Sequence, residues 1–445
     1  NKFDAALDLF KQFDKHTNNE EVVSEYRLNY DIGYTYFKLG EYQYALKSFE
    51  VFNKSNNVLD VSYQRDTFLR IADCHFALKN YWAAMENYNI AISLSPKNGA
   101  YASFQKAVSY GFVDRNIQKI KALIEFLKIY PKNDLLDDVL FELASAYSQE
   151  GEDEDAIKTY DKLLSVFERS PFLAKASLNK GLILYNLDKY ELAKKILEEV
   201  ALDYIRYPVG EQAISTLKEI AIDQGGVSSF IEWTKDKGLN KYTDSEIEKT
   251  AFKSAERQFL DGNTDKSLKL LEEYLKDYPK GLFSKVVLYY LAEIYFDKEF
   301  FDKALVAYKE LIEDNVSSYT EKALVRVIII LKNNDQQITA IPYMEKLAEI
   351  SSYKENKRFA ILNLMQAYYL NEEHEKTLET IEKVLGLTEL TENIKIDALK
   401  FKARSSLALL DSLKAGDTYK QLENSSQILI AAEAIYFRAE LLNRK

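Results

Sequence analysis

Small and large apolar residues recur along this chain in a fixed order, separated by charged positions. One stretch runs Ala144, Tyr147, Gly151, Ala156, Tyr160, Leu163; another runs Gly33, Tyr36, Gly40, Ala45, Phe49, Phe52. A third keeps the spacing with Ala72, His75, Ala84, Tyr88 and Ala91 and closes on Pro96. Two antiparallel helices need small side chains where they cross and bulky ones at the flanks, so each stretch predicts a helical hairpin. One hairpin alone buries too little apolar surface. Hairpins stacked in series build a continuous core.

The packed residue of each second helix sets the register: Ala45, Ala84, Lys119, Ala156, Ala193, Phe230, Ser267, Ala304, Ala340, Thr377 and Ala415. From Ala156 to Ala304 each step is 37 residues. About eleven complete hairpins are expected. The links between them often carry proline (Pro96, Pro131, Pro171, Pro208, Pro279), which stops a helix because it lacks a donor and clashes with the preceding turn. Asn1 to Lys15 matches a second helix whose first helix is missing, and Ala432 to Arg444 matches a first helix with no second one after it. The expectation is an all-α array truncated at both ends, an interior piece of a longer protein. One copy is weak: Phe230 replaces the small residue, Trp233 follows, and Gly225-Gly226 sits at the turn. The organisation read from this is an N-terminal array over 1–209, a degenerate repeat or bend over 210–247, and a C-terminal array over 248–445.

Composition narrows the function. The 445 residues are 47% hydrophobic with 6 Pro, a folded composition, and the net charge of −11 repels phosphate backbones. No basic stripe with interleaved aromatics is present, so nucleic acid is not an expected partner. The single cysteine, Cys74, excludes an intrachain disulfide and a multi-cysteine metal site. The longest apolar run, Val325 to Leu331, is interrupted by Arg326 and falls short of the roughly 18 residues that span a membrane. Any lipid anchor or targeting signal is expected outside this stretch.

Catalytic chemistry is not spelled out. His16, His75 and His374 are scattered, and His75 takes the slot held elsewhere by Tyr36, Tyr147 and Tyr295, so it reads as an inter-helix packing residue. Cys74 adjoins it, but neighbours on a helix diverge by roughly 100° and make a poor nucleophile pair. The acidic run Glu150 to Asp155 lacks the alternating ligands of a calcium loop and reads as a solvated turn. Gly225-Gly226 is followed by Val-Ser-Ser rather than Lys-Ser, so no phosphate loop is present. The chain is read as non-enzymatic, with no catalytic residue, metal or cofactor.

Projecting the first helices leaves an inward stripe. Its aromatic members are Tyr34, Phe37, Phe76, Phe104, Phe112, Phe141, Tyr185, Phe259, Tyr289, Tyr290, Phe296 and Tyr369, alongside Leu69, Asp73 and Leu182. Aromatic side chains of this kind bury large area against an extended peptide, while some of them pack between adjacent repeats instead.

With the small-residue, tyrosine and proline spacings in place, the chain resembles a tetratricopeptide repeat array along nearly all its length. The resemblance implies a right-handed α-α superhelical solenoid of about eleven hairpins, with first helices lining a concave groove. The segments Tyr130-Pro131-Lys132-Asn133 and Tyr278-Pro279-Lys280-Gly281 are similar to bacterial envelope members, the Tol-Pal-associated and outer-membrane assembly types, and the Tyr-rich texture is similar to Bacteroidota proteins. This implies a protein-binding scaffold, periplasmic and outer-membrane-associated, serving an outer-membrane or secretion complex. A cytoplasmic adaptor binding a peptide or soluble protein is the alternative. The lysine and asparagine clamp that some cytosolic members close on a chaperone's terminal carboxylates is absent: the corresponding slots hold Leu69, Asp73, Phe141 and Ser145.

Overall fold

In the computed structural model, residues 2–16, 24–54, 60–239, 242–313 and 317–443 are described, and among them the regular structure is helical, without a strand. The chain divides into two compact units, Asn1–Ile220 and Ala221–Lys445. The first unit opens with α1 (Lys2–His16). Helix–turn–helix pairs follow: α2 (Ser24–Lys38) with α3 (Tyr42–Lys54), α4 (Val61–Ala77) with α5 (Tyr81–Leu94), and α6 (Ala100–Gly111) with α7 (Asn116–Ile129). Next come α8 (Leu136–Gln149) with α9 (Asp153–Val166), and α10 (Leu173–Asn186) with α11 (Tyr190–Asp203). Helix α12 (Pro208–Gln224) crosses the division and is followed by α13 (Val227–Asp236). The second unit continues with α14 (Asp244–Leu260) and α15 (Thr264–Asp277), α16 (Ser284–Asp297) and α17 (Phe301–Glu313), then α18 (Thr320–Asn333) and α19 (Ile341–Ile350). It ends with α20 (Lys354–Leu370) and α21 (His374–Leu385), α22 (Glu392–Ala408) and α23 (Ser412–Leu422), and α24 (Ile428–Asn443). The all-α hairpin array expected from the spacing is the architecture found.

The register holds at the level of side chains. All eleven marker residues, from Ala45 to Ala415, are buried, and so is the residue four positions after each of them. Seven positions after the marker a third buried residue follows in ten of the eleven repeats, as in Ala156, Tyr160 and Leu163. These three stripe one face of the second helix. In α13 the triplet stops after Phe230 and Thr234, because that helix ends at Asp236. The core joins neighbours rather than closing within a repeat: Ala156, Tyr160 and Leu163 of α9 share one cluster with Leu140 and Ala144 of α8 and Ala176 and Ile183 of α10.

At Lys119, where the marker is not small, the facing helix gives way. Lys119 is buried, and Gly111 of α6 leaves room for its stem; a β-carbon at Gly111 would lie 3.2 Å from Lys119 Cδ. The Lys119 ammonium then reaches Glu142 of α8 at 2.5 Å, which supplies the counter-charge that a buried cation needs.

All eleven turns inside the pairs close alike. In the first, Glu41 N–H donates to the Tyr36 carbonyl and Gly40 N–H to that of Phe37, while Gly40 adopts φ +79°. This is a Schellman closure, which satisfies carbonyls left open at the helix end. The left-handed residue is Gly40, Lys79, Asp114, Gly151, Asp188, Gly225, Gly262, Glu299, Asp335, Glu372 or Leu410. Only four are glycine; a residue with a β-carbon loses about 1–2 kcal/mol there. Leu410 also exposes its side chain. Leu410→Gly is therefore expected to stabilise the α22–α23 pair by about 1 kcal/mol, seen as a higher urea midpoint; an unchanged or lower midpoint would contradict the turn assignment.

Candidate partner-binding face

The aromatic stripe divides by what each ring touches. Phe37, Phe76, Tyr185, Phe296 and Tyr369 stand near the ends of their first helices and reach across the turn to the residue that opens the second helix. The partners are Tyr42 at 5.7 Å, Tyr81 at 5.5 Å, Tyr190 at 5.9 Å, Phe301 at 5.7 Å and His374 at 6.1 Å between ring centroids. A second set ties one repeat to the next: Phe141 stacks on Phe172 at 4.8 Å, Phe259 on Tyr290 at 4.3 Å and Tyr289 on Tyr319 at 4.8 Å, and Tyr369 lies 4.6 Å from Phe401. Tyr34 stacks on Tyr30, with Lys38 and Arg70 cations 5.2 and 5.8 Å from its ring centroid.

Two members of the stripe stand apart. Phe104 is 8% exposed inside a core cluster with Leu123, Phe126 and Val139, so it is a core side chain and offers no face to a partner. Helical projection gives its direction, but not the second helix that covers it. Phe112 is 56% exposed; its ring stacks on Tyr81 at 4.7 Å and meets the edge of Phe76 at 5.6 Å. The other rings are half-buried, packed across the turn of their own hairpin, along their own helix or against the next repeat.

Polar nodes lie along the same stripe. Asp73 of α4 accepts the Tyr88 hydroxyl at 2.8 Å, the Tyr101 hydroxyl of the next repeat at 3.2 Å and Arg70 Nη1 at 3.1 Å. Burial raises the Asp73 carboxyl above its usual pKa, and burial with the adjacent carboxylate pushes the Tyr88 hydroxyl up. Glu293 of α16 repeats the design: it accepts the Tyr308 hydroxyl and a two-point clasp from Arg326 of α18, Nε at 3.2 Å and Nη2 at 2.8 Å. Arg326 also lies 4.2 Å from the Phe296 ring centroid. These nodes were legible in principle as an acid fifteen residues before a buried tyrosine, Asp73 to Tyr88 and Glu293 to Tyr308, with Ser145 and Tyr160 a neutral version at 3.1 Å.

The remaining candidates are structural. Cys74 is buried, and burial pushes its thiol up to about 12, which keeps it protonated and unreactive. His374 stands at the start of α21 with Nδ1 3.3 Å from Ser405 Oγ, and the side chain of His16 lies outside the described residues. Among the described residues no group of three His, Cys, Asp or Glu side chains is placed to hold a metal, and no helix is long and apolar enough to cross a membrane.

His75 packs beside Glu50 of α3 and Glu86 of α5, both of which favour its charged form, but burial outweighs them and lowers its pKa. Its buried Nδ1 has no hydrogen-bond partner among the described residues. A His held below its ordinary pKa contributes stability above about pH 6.5 that is lost as pH falls through the folded value. The melting temperature is expected to drop as pH falls below about 6.5, and His75→Tyr, the residue other repeats use, should flatten that drop; an identical profile in the variant would refute it.

The family model of the tetratricopeptide repeat matches residues 138–170, and a second tetratricopeptide repeat model matches 174–201. No curated protein matches the chain. Among solved structures, MamA 41-end from Desulfovibrio magneticus RS-1 is similar at 16% identity, with 39% of this chain and 92% of that one covered and a TM-score of 0.34. A tetratricopeptide repeat protein from Parabacteroides merdae is similar at 15% identity over 60% and 98% of the two chains, TM-score 0.30. The structure of Naa15/Naa10 bound to HypK-THB is similar at 16% identity over 99% and 70%, TM-score 0.38. Scores this low carry no argument about activity or partner. The two matched repeats fall on α8–α9 and α10–α11, whose turns and buried triplets are those of the other pairs. The chain carries tetratricopeptide repeats over 138–170 and 174–201 and is an array of helical hairpins.

Proposed function

We propose that this chain is a non-enzymatic scaffold that organises an outer-membrane or secretion-associated assembly on the periplasmic side of a bacterial outer membrane. The aromatic stripe carries the binding half of this reading. Its rings are half-buried and held by neighbours, so a partner segment meets large apolar surfaces that are already ordered. Preorganisation of that kind removes an entropy cost from association. The envelope half is supported by the texture of the links, Tyr130-Pro131-Lys132-Asn133 and Tyr278-Pro279-Lys280-Gly281.

Purification from source membranes in mild detergent is expected to bring envelope proteins with the chain. Recovery of soluble cytosolic proteins alone would replace this reading with that of a cytosolic adaptor. Within the same experiment Phe112→Ala should weaken partner capture and leave the melting temperature within about 2 °C, since that ring is mostly exposed. Tyr289→Ala and Phe296→Ala should lower both, because Tyr289 stacks on Tyr319 and Phe296 packs on Phe301 under Arg326.

A further inference from the structure

The second helices differ from one another at one outward position. Two residues after the marker, nine of the eleven repeats hold Lys, Glu or Asp; the exceptions are Pro342 and Val306. Val306 of α17 is 67% exposed. It borders a hollow of about 500 Å³ between α15 and α17, floored by Leu288 and Leu291 of α16. A second hollow of about 440 Å³ continues it beside the α15–α16 link, and the two share Leu275, Leu288 and Glu310. Leu282, 80% exposed, stands in that second half. The α7–α9 segment, four repeats earlier, has the same register around Tyr130-Pro131-Lys132, with Asp134 at the place of Leu282 and Lys158 at that of Val306. Both are exposed there, and Lys158 pairs with Asp155 at 3.3 Å. Two solvated charges are thus replaced by exposed aliphatic side chains in the two halves of one groove, which no member of the aromatic stripe lines. Exposed aliphatic surface gathered in this way marks an interaction site.

We propose that this groove docks an amphipathic helix of a partner protein, one with an acidic first turn and a basic last turn. Charge along the groove decides the occupant. The half that reaches Tyr295 carries Glu272 and Asp302, and its one cation, Lys303, lies 5.4 Å from the Tyr295 ring centroid. The half at the link carries Lys280 and Lys285, and Glu310 borders both. A helix dipole favours acids at the start of a helix and cations at its end, so the partner helix starts at the two lysines and runs in the direction of α16. That sets it antiparallel to α17. Ser284 and Tyr295, which line the two halves on α16, are eleven residues apart, about 16 Å along the axis, so a helix of about three turns fills the groove. An apolar stripe at i, i+3, i+4 and i+7 then covers Leu282, Leu288 and Val306. In the α7–α9 segment the same stripe would meet Asp134 and Lys158, whose desolvation opposes docking there.

The test uses the whole chain and a fluorescein-labelled peptide, Ser-Glu-Glu-Leu-Ala-Gln-Leu-Leu-Ala-Gln-Leu-Ala-Lys-Lys, followed by fluorescence anisotropy. Saturable binding is expected. Leu282→Asp with Val306→Lys, the residues found four repeats earlier, should weaken it about tenfold. Both positions are exposed, so this double variant should melt within about 2 °C of the parent. Lys195→Gln, at the position of Val306 in another repeat, and Phe112→Ala, in the aromatic stripe, should leave binding unchanged. A peptide with its Glu and Lys pairs exchanged should bind the parent about tenfold more weakly. No saturable binding, equal affinity in the double variant, binding lost in Phe112→Ala, or undiminished binding of the exchanged peptide would overturn the proposal. Sedimentation velocity showing dimers of the parent that the double variant loses would assign the groove to a second copy of the chain and overturn it as well.

Discussion

Gly210→Ala is expected to lower the melting temperature of the chain by several degrees, corresponding to about 2–3 kcal/mol. Gly210 lies in the first turn of α12, and a β-carbon there would sit 2.2 Å from the Tyr204 carbonyl oxygen and 2.9 Å from the Ile205 amide nitrogen. Those are backbone atoms, and Tyr204 N–H is itself bonded to the Val200 carbonyl at the end of α11, so the chain cannot yield without disturbing the preceding helix. The same substitution elsewhere has the opposite sign. Gly416, inside α23, has only Leu441 Cδ1 at 3.9 Å, and alanine there should gain about 0.5–1 kcal/mol from helix propensity. Thermal melts of the two variants measured together separate a packing cost from a general glycine effect. A Gly210→Ala variant that melts with or above the parent would show that the α11–α12 link is more relaxed than this geometry.

What the sequence made legible follows from how strongly each feature constrains residue type. Burial at a close helix crossing excludes nearly everything but small residues, so Ala45, Ala84, Ala156, Ala193 and Ala304 stand out, and the fold is readable from them. The turn constrains backbone rather than side chain. Seven of its eleven left-handed positions hold a non-glycine residue, from Lys79 to Leu410, and spacing alone gave no sign that every turn closes alike. Lys119 could be placed in register but not explained, because its solution is shared among Gly111 on the facing helix and Glu142 on the next repeat. The stripe was harder still. Projection of a single helix shows which side chains share a face, but Phe104 is decided by Phe126 on another helix, and Phe141 and Tyr289 by Phe172 and Tyr319 just ahead of the next first helix. Polar nodes at Asp73 and Glu293 went unread because a lone acid on an amphipathic helix usually faces water. Their signal is a pairing with a buried tyrosine fifteen residues later.

Ala156→Leu tests the register where it is tightest and is expected to cost about 1–3 kcal/mol. Ala156 has no exposed surface, and its cluster is closed by Leu140, Ala144, Tyr160 and Leu163. Three added carbons have no cavity to enter, so α8 and α9 must separate or Tyr160 must move. Either response reaches the next repeat, because the Tyr160 hydroxyl lies 3.1 Å from Ser145 of its own hairpin and accepts from Asn179 of α10 at 3.1 Å. In an array whose stability comes from neighbour interfaces, damage at one interface weakens the coupling across it. Urea unfolding of Ala156→Leu should therefore show a lower midpoint together with a shallower slope, as the repeats on either side cease to unfold as one unit. Glu152→Ala, four residues earlier in the exposed turn, should stay within about 0.5 kcal/mol of the parent with its slope unchanged. Equal effects at the two positions would mean that Ala156 does not face the crossing. A lower midpoint with an unaltered slope would mean that the stacked hairpins are coupled through contacts other than the Tyr160 node.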